Sequence, residues 1–126
     1  MEFPNELKYS SDHEWVRVEG NTAIIGITAH AASELGDVVY VDVEGDLAET
    51  VKGEVFGTIE AVKTVADLIA PISGKVTEVN TPLNDAPETV NSSPYNDGWM
   101  IKVEIANPAE LNDLMDAAAY KAFIGE

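Results

Sequence analysis

The chain has 126 residues, the size of one domain, and sets 7 Lys and Arg against 23 Asp and Glu for a formal charge of −16 at pH 7. Phosphate backbones and anionic membranes are held by basic side chains, so this balance excludes nucleic-acid and membrane-surface binding as a main function. With no Cys and 2 His, disulfides, thiolate metal sites and thiol nucleophiles are ruled out and no metal site is expected, while 45% hydrophobic residues suit a folded core.

Met1 to Glu6 shows neither a basic stretch nor an apolar run, and no segment nears the ~20 apolar residues that span a bilayer. A cytoplasmic protein is expected, or a mitochondrial-matrix one for a processed eukaryotic chain. Residues 14–27 predict a hairpin in which Trp15, Arg17 and Glu19 alternate with Val16 and Val18, Gly20-Asn21 turns, and Ala23 to Ile27 return. Thr28 is placed to N-cap a short helix over Ala29–Leu35, and Gly36 to close it. Val38 to Val43 reads as a strand. A β-rich block from Val51 to Ile69 follows, ended by Pro71 and Ser73-Gly74, and Lys75 to Val79 is another strand. Residues 84–98, rich in Asn, Asp, Ser and Pro, read as a long irregular loop, and Trp99 to Ile105 as the last strand. Asn107, Pro108 and Glu110 resemble the start of a helix over about 108–123. Its Leu111, Leu114, Met115, Ala118, Ala122 and Phe123 make one apolar stripe. A faint repeat (Gly36 and Val51, Gly74 and Val90) predicts two similar sheets facing each other, with the segment near residue 63 as the crossover.

That segment, Thr58 to Ile69, has no Gly, Pro or Asn, the usual residues of a tight hairpin. Yet Ile59-Glu60-Ala61-Val62 mirrors Val65-Ala66-Asp67-Leu68, which favours a hairpin with Lys63-Thr64 at its tip. On the ordinary reading Lys63 keeps an exposed turn soluble. On the sharper one it is an attachment point: a primary amine on a flexible stem can enter a ligase site, and once acylated it is a neutral, longer tether. Glu60 offers a recognition charge nearby. Asp12-His13-Glu14 could suggest a metal site, but alternation along a strand would turn His13 away from Asp12 and Glu14. His30 reads as a packing or surface residue.

In order and spacing, several stretches together resemble the glycine cleavage H-protein family, the lipoyl carriers of that system. They are Lys8-Tyr9, His13-Glu14-Trp15-Val16, Gly26-Ile27-Thr28, Leu35-Gly36-Asp37-Val38-Val39 and Glu60-Ala61-Val62-Lys63. Ala70-Pro71-Ile72-Ser73-Gly74, Glu78-Val79-Asn80, Pro94-Tyr95 and Gly98-Trp99-Met100-Ile101-Lys102 continue the series. The resemblance spans Leu7 to Tyr120. It implies a mostly β, lipoyl/biotinyl-type barrel-sandwich hybrid of two small antiparallel sheets, with a short helix in the N-terminal half and a C-terminal helix, as one carrier domain over 1–126. It implies lipoate held as an amide on Lys63, Glu60 in ligase recognition, Glu14 and Asp67 lining a cleft for the aminomethyl-loaded arm, and no catalytic residue. The implied partners are a pyridoxal-phosphate glycine decarboxylase, a tetrahydrofolate-dependent aminomethyltransferase, dihydrolipoamide dehydrogenase, and a lipoate ligase or octanoyl transferase. A monomer is expected. The family commonly carries Glu-Ser-Val-Lys-Ala where this chain has Glu60-Ala61-Val62-Lys63-Thr64.

Rival readings remain. The same lysine would serve an H-like protein that relays lipoate to other enzymes. A 2-oxoacid dehydrogenase lipoyl domain is shorter and linker-tethered, a biotin carrier has Met-Lys-Met, and an enzyme with an acidic pair is weakly marked because 23 acids make chance pairs common.

Overall fold

The computed structural model describes residues 2–126. In chain order the strands are β1 (Lys8–Tyr9), β2 (Glu14–Glu19), β3 (Thr22–Ile27), β4 (Val38–Asp42), β5 (Glu49–Thr50), β6 (Val55–Ala61), β7 (Val65–Ile69), β8 (Gly74–Val79) and β9 (Ile101–Ile105). The α-helices are α1 (Ala29–Leu35), α2 (Thr89–Ser92) and α3 (Ala117–Ile124). One sheet runs β1-β2-β3-β9-β8-β5 and the other β4-β6-β7, with every pairing antiparallel. The expected mostly β, two-sheet architecture is therefore present.

Strand residues are split between two faces, and each face has its own core. Val16, Ile25 and Ile27 of the large sheet meet Val41, Ile59 and Leu68 of the small one, with Ile72, Met100 and Val103 closing the interior. On the opposite face of β2, Trp15 joins Phe3, Leu7, Tyr9, Tyr95 and Tyr120 in a second cluster. Trp15 lies flat across β3, opposite Gly26 in the pairing, and its indole N–H donates to Pro94 O at 2.9 Å. A Cβ at Gly26 would stand 2.7 Å from the indole, so Gly26→Ala is expected to cost about 1–3 kcal/mol of stability by overpacking. Urea unfolding checks this; an unmoved midpoint would mean the indole can swing aside.

The 14–27 hairpin and the 29–35 helix form where the sequence places them. The Thr28 side chain accepts from Ala31 N, and Gly36 takes φ 78°, ψ −153°, a region open essentially to glycine alone. Three expectations need correction. Residue 63 is no crossover between matched sheets: β6 and β7 pair with each other in the three-stranded sheet, and its partner sheet has six strands. The 84–98 loop contains the single helical turn α2. Residues 108–123 do not form one helix.

That last segment divides for a tertiary reason. Pro108–Asp113 is a 3₁₀ turn capped by Asn107, after which Leu114 is extended. Met115 exchanges two 2.8 Å backbone bonds with Tyr9. Asp116 then N-caps α3, accepting from Ala119 N at 2.8 Å. Glu110 closes no capping box; its carboxylate takes Ser73 N at 2.7 Å and Ser73 Oγ at 3.1 Å. The apolar phase restarts after the break, with Ala117 and Tyr120 buried and Phe123 exposed. Pairing with a buried Tyr9 outweighs the modest gain from two more residues of helix.

Candidate functional site

The β6–β7 hairpin carries Lys63 at its apex. Its register pairs Thr58 with Asp67, Ile59 with Ala66 and Glu60 with Val65, and Ala61 N donates to Thr64 O at 2.8 Å, so the tip is Val62-Lys63 and not the expected Lys63-Thr64. Val62, Lys63, Thr64 and Val65 are all exposed, as is Glu60. The inward positions Ile59, Ala61 and Leu68 anchor the hairpin in the core. Lys63 lies beside the end of α1: a Cβ on Gly36 would meet its Cε at 3.4 Å and its Nζ at 3.8 Å. Among the described residues the ion pairs are Lys52–Asp113 and Lys102–Glu78, so the apical amine is not tied to a carboxylate.

Immediately beyond Leu35 a cleft of ≈ 170 Å³ opens between α1 and the hairpin. Ile27, Leu35, Ile59 and Leu68 give it an apolar floor, and Asp12, Glu14, Glu34 and Asp67 place carboxyls around it. Glu14 and Asp67, which the resemblance pairs in one cleft, thus lie on the same cavity. They differ in setting. Asp67 is exposed, whereas Glu14 is 2% exposed, accepting from Ser10 Oγ at 3.2 Å and from Ile69 N at 2.9 Å. Burial pushes the Glu14 carboxyl up to about 8; the bonds from Ile69 and Ser10 offset only part of that, and the charge of Asp12 adds to it.

His13 was expected to face away from Asp12 and Glu14, but all three line the cleft. Strand alternation does not apply, because β2 begins only at Glu14 and His13 sits at φ 68°. Its Nδ1 is 2.9 Å from Tyr120 Oη, which is 2.9 Å from Thr28 Oγ1. Thr28 Oγ1 already accepts from Ala31 N, leaving its own proton for Tyr120, whose O–H then donates to His13 Nδ1. This assignment satisfies each group and leaves neutral His13 protonated on Nε2. Burial, with the neighbouring His30, also lowers the His13 pKa. Tyr120, stacked on Tyr9 at 4.8 Å between ring centroids, therefore ties α3 to the cleft rim and to the cap of α1. Tyr120→Phe is expected to cost about 1–2 kcal/mol by orphaning the Thr28 hydroxyl and His13 Nδ1, measurable as a lower thermal midpoint with unchanged strand content. Sequence reading missed Tyr120 and Ser10; nothing local distinguishes either from an ordinary polar residue.

The sequence pattern of the glycine cleavage H-protein family matches residues 7–126. A glycine cleavage system H protein of Brevibacillus brevis is 57% identical over 126 residues, spanning 100% of both chains. One from Anaeromyxobacter sp. (strain K) is 55% identical over 127 residues, covering 100% of this chain and 98% of that relative. Among solved structures, a glycine cleavage system H protein from Mycobacterium marinum matches with a TM-score of 0.88 at 37% identity, over 98% of this chain and 100% of the other. The fold is thus of the lipoyl-carrier type, two antiparallel sheets that do not close into a barrel. Within that class, the chain belongs to the glycine cleavage H-protein family.

Proposed function

We propose that this chain, as one carrier domain, bears lipoate in amide linkage on Lys63 and is the tethered shuttle of the glycine cleavage system. The observation that carries the reading is Lys63, exposed at the apex of a hairpin rooted in the core whose strands, through Ile59, Ala66, Asp67 and Leu68, line an acid-rimmed apolar cleft. Family membership supports the same role. The residues present suit a lipoyl group: Ile27, Leu35, Ile59 and Leu68 would cover an apolar chain and ring, and Glu14 and Asp67 would face a cationic amine. When bound, that group supplies the disulfide–dithiol chemistry that takes up the aminomethyl unit left as glycine loses carbon dioxide.

The chain's own residues tether, present and shelter. Attachment at Lys63 fixes the arm within reach of each partner site and raises its local concentration there. Glu60, exposed three residues before the lysine, offers a charge for ligase recognition. In the cleft, burial pushes the Glu14 carboxyl up towards its protonated form, and a cationic amine beside it favours the ionised form, so cargo entering would draw off its proton. None of these steps needs a catalytic group, and the chain acts as a non-catalytic subunit. Its partners are the pyridoxal-phosphate glycine decarboxylase, the tetrahydrofolate-dependent aminomethyltransferase, dihydrolipoamide dehydrogenase and a lipoate ligase or octanoyl transferase. The relatives named above are bacterial, which supports a cytoplasmic setting; the carrier is read as a monomer. Among the described residues no helix is long and apolar enough to cross a membrane.

The test has two stages. Incubation with purified lipoate ligase, ATP and lipoate should raise the intact mass by one lipoyl group. The lipoylated protein should then support glycine decarboxylase-dependent exchange of bicarbonate into the glycine carboxyl. Mass gain without exchange would favour the lipoate-relay reading, and no mass gain would end both.

A further inference from the structure

We propose that Asn91, from the single helical turn α2, is a positioning residue that fixes the hairpin tip in the orientation in which Lys63 is acylated; this rests on Lys63 being the attachment site. Two-residue hairpin loops normally close with positive φ at the tip, which Asn and Gly supply. Here the tip residues are Val62 and Lys63, and His13 is the one non-glycine residue with positive φ among those described. The tip is therefore not held by its own turn chemistry. Its support comes from outside: Val62 N donates to Asp37 O at 3.1 Å, and the Lys63 stem lies over Gly36. The seat of the lysine is thus the short link between α1 and β4, residues 36–38.

That link needs fastening too, because Gly36 stands at φ 78° and a glycine fixes its own backbone weakly. Asn91 fastens it. Its Oδ1 accepts from Val38 N at 2.9 Å and its Nδ2 donates to Gly36 O at 2.8 Å. One amide group so bridges both ends of the link. Asn91 takes up Gly36 O and Val38 N, while the carbonyl between them, Asp37 O, accepts from Val62 N of the hairpin. Both polar ends of the amide are committed, so its orientation is not free to reverse. Val38 is buried, and no water would replace the lost acceptor cheaply. Without Asn91 the link gains freedom, the Asp37–Val62 bond loosens, and the presented conformation becomes one of several. A ligase selecting that conformation would see its apparent affinity fall by the fraction populated, with the chemical step unchanged.

The test compares Asn91→Ala with Asn80→Ala in the full chain. Asn80 is a matched control: its Nδ2 also bridges backbone carbonyls, of Asp97 and Trp99, but it makes no bond to residues 36–38 or 61–64. Two quantities are read well below the unfolding temperature. They are the KM and kcat of a lipoate ligase for each protein, and the amide-exchange protection of Val62. For Asn91→Ala the expected result is a KM about tenfold higher at unchanged kcat, with Val62 protection reduced about tenfold. Asn80→Ala should leave both within about twofold. Asn91→Asp, which keeps an acceptor for Val38 N but cannot donate to Gly36 O, is carried alongside should the Ala variant not fold; about threefold is expected. A wild-type KM and wild-type Val62 protection in the Asn91 variants would overturn the proposal. So would an equal loss in Asn80→Ala. Failure of the wild-type protein to be acylated at Lys63 would instead sink the carrier reading, while the Val62 measurement would still decide whether the clamp acts.

Discussion

Lys63→Arg is expected to give a stable protein that gains no mass with ligase, ATP and lipoate and supports no glycine–bicarbonate exchange. The substitution keeps the positive charge and most of the stem, so ligase approach and surface electrostatics change little. It removes the one property acylation needs: an amine that can lose a proton and attack an activated acyl group. The guanidinium stays protonated at any workable pH. Because residue 63 is exposed and takes no part in the ion pairs found among the described residues, the stability change should stay within about 0.5 kcal/mol. Mass gain surviving in this variant would relocate the attachment to one of the other lysines. Lys52 and Lys102 are engaged by Asp113 and Glu78; the remaining ones lie outside the hairpin.

Glu14→Gln should alter the pH dependence of folding more than its size suggests. A carboxyl at about 8 in the folded state against an ordinary value of 4.5 binds a proton on folding throughout the window between them. Its contribution to stability is fully present below about pH 4.5 and is lost as pH rises to about 8, levelling beyond. Gln is neutral at every pH and fits the same frame: its carbonyl can accept from Ile69 N and its amide can donate to Ser10 Oγ. The variant should therefore gain on wild type between pH 5 and pH 9 by up to about 5 kcal/mol. Urea titrations at several pH values provide the comparison; parallel curves for the two proteins would show that Glu14 titrates normally. The same change removes the charge facing a cationic cargo, and the loaded protein is expected to release ammonia about tenfold faster in the absence of the aminomethyltransferase.

The two effects have one source. A carboxylate held dry beside an apolar floor is costly until a cation arrives, so the site is poised for a cation and is a liability when empty at high pH. Glu34 and Asp12 stand on the same cleft but are exposed, and water absorbs most of what their charges could do.

What the sequence determined by itself is local. Thr28 and Gly36 bound a helix through cap chemistry within a few residues. The mirrored Ile59–Val62 and Val65–Leu68 marked a hairpin turning near Lys63, because alternation is written over short range. They put Lys63-Thr64 at the tip, whereas Glu60 pairs with Val65 and the tip is Val62-Lys63. The ordered motifs from Lys8-Tyr9 to Gly98–Lys102 carried the family resemblance and with it Lys63, Glu14 and Asp67. Tertiary structure decided the rest. The apolar spacing from Leu111 to Phe123 fitted one helix, yet a backbone pairing with Tyr9, more than a hundred residues away in the chain, breaks it at Met115. His13 obeys no strand alternation, because Tyr120 and the turn before β2 set its direction. Asn91 sat unmarked in a polar loop, since the groups it satisfies, Gly36 O and Val38 N, belong to a distant segment. Caps and turns are satisfied by neighbours in sequence and so are written there. The shelter around Glu14 and the seat beneath Lys63 exist only once separate segments share their hydrogen bonds and exclude water together.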